Sequence, residues 1–138
     1  MLKKLVLLLS VVLSVVWVGQ AQTIRNTSNS ALLVIDDKGA VRTTGNSLIA
    51  RIESNGTIRD KGNSVLGKIE SDGTVRDRNN SYLGKVERDG TVRNRNNSVL
   101  GKVDSNGNVR NSNNHLLGTA KGVPTTYAAL YFFFGFFR

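Results

Sequence analysis

A unit of 17 residues, best seen in Gly73 to Asp89 (GTVRDRNNSYLGKVERD), repeats with starts at Gln22, Gly39, Gly56, Gly73, Gly90 and Gly107. Six tandem copies restrict the chain to architectures in which one small element stacks on, or pairs with, its own neighbours. The fourth slot of the unit is Arg in every copy (Arg25, Arg42, Arg59, Arg76, Arg93, Arg110) and the eighth is always Asn (Asn29, Asn46, Asn63, Asn80, Asn97, Asn114).

Three slots are apolar throughout. Slot three runs Ile24, Val41, Ile58, Val75, Val92, Val109; slot eleven runs Leu32, Ile49, Leu66, Leu83, Leu100, Leu117; slot fourteen runs Ile35, Ile52, Ile69, Val86, Val103, Ala120. These are the candidate core. β-Branched residues in short runs bounded by Gly, Asn, Asp and Ser predict short strands and not helices.

Turns such as Ser54-Asn55-Gly56, Ser71-Asp72-Gly73, Arg88-Asp89-Gly90 and Ser105-Asn106-Gly107, with Asp37-Lys38-Gly39 as a looser version, separate slot fourteen of one unit from slot three of the next. A three-residue loop ending in left-handed Gly places Ile52 opposite Ile58 and Ile69 opposite Val75, on one face. A two-residue Asn-Gly loop would set Glu53 against Ile58, so the longer loop is expected. In that register Glu53 and Arg59, Glu70 and Arg76, and Glu87 and Arg93 lie diagonally on the outer face as cross-strand ion pairs. The Asn-rich connection, Arg78-Asn79-Asn80-Ser81 for example, reads as a turn in which Asn takes positive φ.

Cutting at the Asn-rich turns gives five complete hairpins and two half units, Thr23 to Asn26 and His115 to Ala120. One hairpin cannot bury its apolar face, so the hairpins must pack together; closure, with the two half units meeting, leaves no bare sheet edge. The expected fold is all-β, a ring of five β-hairpins, with a short apolar, helical C-terminal segment packed on it.

The flanks differ from the repeats. Met1 to Ala21 has Lys3 and Lys4, then an apolar run from Leu5 to Val18, then small residues at Gly19 and Ala21. This is the layout of a signal peptide cleaved after Ala21, and the apolar run is shorter than the roughly 20 residues of a membrane-spanning helix. The expected organisation is therefore residues 1–21 leader, 22–123 repeat domain and 124–138 tail. In the tail, Tyr127, Tyr131, Phe132, Phe133, Phe134, Phe136 and Phe137 fall in an unbroken apolar run, with Thr125 or Thr126 as a candidate helix cap. Such a run must be covered. Three coverings compete: the ring's own interior or mouth, which we expect; a membrane surface or a self-association interface; and an outer-membrane assembly signal, disfavoured by the terminal Arg138.

Removing the leader's two Lys from 19 Lys and Arg leaves 17 against 10 Asp and Glu, or +7. A basic surface points to anionic partners. Lys68, Lys85 and Lys102, in slot thirteen, share a face with Arg59, Arg76, Arg93 and Arg110, which makes this the candidate anion-binding face for an anionic glycan or a membrane surface. The alternative is a solvated outer surface. Nucleic acid is not expected, because the repeats lack interleaved aromatics and the chain is read as exported.

The chain has no Cys, which removes disulfides, thiolate metal sites and a Cys nucleophile. The single His, His115, fills a slot that is Ser in the other five units. Recurring carboxylates follow recurring turns and do not form one acid and base pair. The Asp72, Asp77 and Asn79 group does not match a calcium loop, and Arg76 would repel the ion. No cofactor, metal or catalytic residue is expected.

The leader, the five Asp-Gly or Asn-Gly hairpins, the recurring Thr74-Val75-Arg76-Asp77 and Tyr82-Leu83-Gly84-Lys85-Val86 segments and the Phe-rich tail together resemble the bacterial five-fold beta-flower proteins. The likeness covers residues 22 to about 138, with Gln22 and Leu33 standing in unit one where the pattern has Gly. It implies a hairpin ring with five-fold pseudosymmetry and brings no established activity. The expected role is a non-enzymatic, exported structural or interaction module of the cell envelope, periplasmic or envelope-associated, with an envelope protein among its candidate partners. The alternative is a peripheral binder of membrane or anionic polymer that uses the basic face and the Phe tail.

Overall fold

The computed structural model describes residues 22–138; the expected signal peptide and its cleavage point after Ala21 lie outside the described residues. Each repeat folds into two strands. In order they are β1 (Thr23–Arg25), β2 (Ala31–Ile35), β3 (Ala40–Arg42), β4 (Leu48–Ile52), β5 (Thr57–Asp60), β6 (Val65–Ile69), β7 (Thr74–Asp77), β8 (Tyr82–Val86), β9 (Thr91–Asn94), β10 (Val99–Val103), β11 (Asn108–Asn111) and β12 (Leu116–Thr119). A helix, α1 (Thr125–Phe132), follows.

All twelve strands join one antiparallel sheet in chain order, and β12 pairs with β1, Thr119 opposite Arg25, to close a barrel. The two half units therefore meet at a seam. The all-β fold with its short C-terminal helix is present, and the expected ring of five β-hairpins is corrected to a continuous twelve-stranded sheet, because the Asn-rich turn is itself a hairpin turn and the strands on either side of it also form a hydrogen-bonded ladder. Five Gly loops lie at one end of the barrel and six Asn turns at the other, and the seam takes the sixth place among the Gly loops.

The Gly loops have the three-residue form. Ile52 pairs with Ile58, Ile69 with Val75 and Val86 with Val92. Gly39, Gly56, Gly73, Gly90 and Gly107 close these loops at φ between 82° and 92°. Gly39 is no looser than the rest.

At the opposite end the slot-eight Asn of all six units has φ between 64° and 71°. The slot-five residue locks this turn. Asp77 Oδ1, for example, accepts the N–H groups of Asn79 and Ser81 at 2.9 and 3.0 Å, and Asn26, Asp60, Asn94 and Asn111 do the same in their units. A short acceptor side chain mimicking a turn carbonyl satisfies backbone donors that the ladder leaves free.

The register slips by one residue between slots three and four: Ile58 pairs with Gly67, but Arg59 pairs with Val65, which leaves Leu66 as a bulge. Slots three and fourteen are buried in all six units. The slot-eleven residues are corrected from core to half-buried positions packed against the core. The bulge swings them toward the Asn-turn mouth and sends slot twelve inward instead, where Leu33 and Ala50 are buried.

A barrel of twelve strands is too wide for its own side chains to fill. The C-terminal segment fills it. Ala128, Ala129 and Leu130 of α1 are 0% exposed and share one core cluster with the slot-three and slot-fourteen residues of all six units. Thr126 and Tyr127 border the Gly-loop residues Ser54 to Gly56, while Phe134, Phe136 and Phe137 border Leu66 and Leu83 near the other mouth. The chain thus enters at the Gly loops and leaves toward the Asn turns. Pro124 stands at the helix N-cap and its carbonyl accepts the Ala128 N–H at 3.1 Å; neither Thr125 nor Thr126 caps through its side chain.

Candidate functional site

The Arg and Asn slots that repeat without exception are partners. Nη1 of Arg25, Arg42, Arg59, Arg76, Arg93 and Arg110 donates to the carbonyl of the slot-eight Asn four residues on, at 3.0 to 3.4 Å. The guanidinium ties the left-handed residue of the turn back to the strand. In three units the same group also bridges across the Gly-loop hairpin that its strand completes: Arg59 Nε to Glu53 at 2.7 Å, Arg76 Nε to Glu70 at 2.8 Å, and Arg93 Nε to Glu87. The three diagonal pairs expected from the register are thus formed.

Among the described residues Arg110 has no such carboxylate partner. The corresponding residue is Asp104, whose shorter side chain accepts the N–H groups of Asn106 and Asn108 instead. Because Arg59 and Arg76 make the same two bonds, Arg59→Ala and Arg76→Ala should each cost about 1 to 2 kcal/mol, one half-buried, solvent-screened ion pair plus one hydrogen bond. Arg110→Ala should cost less. Thermal melts of the three variants check this, and unequal losses at Arg59 and Arg76 would show that the repeats are not equivalent.

Lys68, Lys85 and Lys102 stand on the outer face directly opposite Arg76, Arg93 and Arg110, and Arg51 stands opposite Arg59. The candidate anion-binding residues therefore form a belt of like-charged cross-strand pairs over β4 to β11. At the remaining strands the belt lapses: Thr119 faces Arg25 and Val34 faces Arg42. Among the described residues the three ion pairs all use arginine, and the lysines enter none of them.

The acidic residues serve the turns. The Thr74 backbone N–H, and then its hydroxyl, holds the Asp72 carboxyl below the ordinary aspartate range, and Thr91 does the same for Asp89. Asp72 belongs to a Gly loop and Asp77 to an Asn turn at the other end of β7, so the two do not converge on one ion. His115 donates its N–H to Asn111 Oδ1 in an exposed turn.

Of the tail residues, Phe136 is buried, while Tyr127, Tyr131, Phe132, Phe133, Phe134 and Phe137 are partly buried against the core. Burial raises the Tyr127 hydroxyl pKa, and Asp36 and Asp37 add to the effect. Arg138 folds back, donating to the carbonyls of Tyr131 and Phe132 at 2.9 Å and lying 5.2 Å from the centroid of the Tyr131 ring.

The Phe rings meet the slot-twelve glycines in reverse order. A methyl carbon added at Gly118 would lie 2.9 Å from Phe132, at Gly101 2.6 Å from Phe133, at Gly84 2.9 Å from Phe134 and at Gly67 2.8 Å from Phe136. Each step along the tail thus moves one repeat back around the barrel. Ala50 and Phe137 border the same hollow, and Leu33 fills the last position with its own side chain. Sequence reading missed this match; the signal was four slot-twelve glycines in consecutive units beside a tail of five Phe.

No curated protein and no solved structure matches this chain. The family model described as 5-fold beta-flower protein matches residues 21–137, which spans every strand and the tail, and the chain therefore belongs to the 5-fold beta-flower family.

Proposed function

We propose that this small β-repeat protein is a non-enzymatic, exported interaction module of the bacterial cell envelope. One observation carries the reading: the polar side chains that recur in every unit are spent on the fold's own turns, and the barrel interior is occupied by the chain's own C-terminus. What remains free to meet a partner is the outer face. The alternative, a membrane binder led by the Phe tail, is less favoured because those rings pack on the core.

Export rests on the layout of Met1 to Ala21 and on the start of the repeats at Gln22, directly after the expected cleavage point. Expression with the native leader in a Gram-negative host should give a periplasmic protein whose intact mass begins at Gln22. The sole Trp of the chain is Trp17, so the mature protein should show tyrosine emission only. A full-length chain held in the cytoplasm would overturn the exported reading.

A further inference from the structure

We propose that the outer belt is a binding site for a linear anionic polysaccharide, laid around the barrel across the pairs Lys68 and Arg76, Lys85 and Arg93, and Lys102 and Arg110. The inference rests on the exported interaction module proposed above and names its partner.

Like charges directly opposite in an antiparallel pair are destabilising. Slot thirteen does not require Lys for folding, since the sixth unit carries Thr119 there and the first Val34, both within the same sheet. Three consecutive units nevertheless place Lys against Arg. Glu70 and Glu87 offset that cost at Arg76 and Arg93 but have no counterpart at Arg110, and a charge arrangement repeated in register beyond what the fold requires is the mark of a functional surface. Glu53, Glu70 and Glu87 pair only with arginines, and they stand beside the Gly loops; Lys85 and Lys102 lie near Asp72 and Asp89, but neither they nor Lys68 nor Arg110 enters a salt bridge among the described residues.

Pairs recur every two strands, about 10 Å apart, and run around half of a closed cylinder, six of its twelve strands. A flat bilayer meets a cylinder along a narrow sector and would leave much of the belt idle, whereas a flexible chain follows it. Single-stranded nucleic acid would need stacking platforms. Among the described residues Tyr82 is the one aromatic on the outer face, and the Arg76 guanidinium already lies 6.0 Å from its ring centroid. A polymer with charges at sugar-sized intervals and no need of stacking fits the belt best.

The test uses the full mature chain and three probes: a polyuronate such as alginate, a thymidine oligonucleotide, and vesicles of phosphatidylglycerol. The polyuronate should bind with a strong salt dependence. The variant Lys68→Thr/Lys85→Thr/Lys102→Thr should weaken that binding at least several-fold and reduce the salt slope, because three counterion-releasing contacts are lost. Its melting temperature should hold or rise, because the repulsion is relieved. The variant Lys38→Gln/Lys61→Gln/Lys121→Gln removes the same charge outside the belt and should retain the affinity. Equal losses in both variants would reduce the effect to net charge and overturn the site. So would tighter belt-dependent binding of the oligonucleotide or the vesicles, or a fall in melting temperature that makes the lysines structural. Failure of polyuronate binding by a chain that still exports and matures at Gln22 would sink this inference alone.

Discussion

Deleting Tyr127 to Arg138 should abolish the cooperative melting transition. The segment contributes Leu130, two Tyr and five Phe to the barrel core or its margin. Full burial of one such side chain stabilises by roughly 1.5 to 3 kcal/mol, so even partial burial of eight sums to the order of 10 kcal/mol. That equals the entire stability of a typical domain, roughly 5 to 15 kcal/mol. The shortened barrel would also face inward with a ring of Ile and Val around an unfilled lumen. Circular dichroism and calorimetry should find a broad transition or none, with exposed apolar surface. An unchanged melt would mean that the tail is not part of the core.

The second large effect should come from a single methyl group. At Gly101 an added Cβ would lie 2.2 Å from the Arg110 carbonyl oxygen and 2.6 Å from the Phe133 ring. The ring can yield; the backbone carbonyl is held by the sheet and cannot. Gly101→Ala should therefore destabilise by about 3 kcal/mol, the upper end of ordinary overpacking. Trimming the ring as well, in Gly101→Ala/Phe133→Ala, should not restore stability. The control is Gly45→Ala, where the new methyl meets only Thr43 Oγ1 at 3.7 Å, and the expected change is near zero or a gain of about 0.4 to 1 kcal/mol. Chemical denaturation of the three variants measures these differences, and equal stability of Gly101→Ala and Gly45→Ala would contradict the packing described.

These two effects also mark where the sequence was easy to read and where it was not. Loop length followed from register alone, because a slip of one residue would have turned Glu53 toward the core. The same register placed Glu70 beside Arg76 and brought the chain ends together at the seam. Asn80 was legible as a residue taking positive φ, but its bond to Arg76 was not, although both slots are invariant across the units. That bond depends on the side-chain reach of Arg across a turn, which periodicity does not encode.

The bulge was the main obstacle. Leu66 repeats as strictly as Ile58 and looked like core, yet an extra residue in the strand displaces it toward the mouth and hands the interior face to Gly67. Glycine in a strand ordinarily reads as a weakness. Here it is a notch, and its occupant Phe136 lies far away in a segment outside the repeat. The belt was visible as a shared face of Lys85 and Arg93, but only the pairing shows that these like charges sit directly opposite one another. The Asn-rich turn, taken as a boundary between hairpins, proved to be a second hairpin turn locked by Asp77.

The barrel closes around its own C-terminus, with the Phe rings seated in glycine notches. Nuclear Overhauser contacts in the mature protein test it most directly. The account predicts contacts from the rings of Phe132, Phe133, Phe134 and Phe136 to the α-protons of Gly118, Gly101, Gly84 and Gly67 respectively, retained in a labelled chain diluted with an excess of unlabelled chain. The absence of these contacts, or their appearance only between labelled and unlabelled chains, would contradict it.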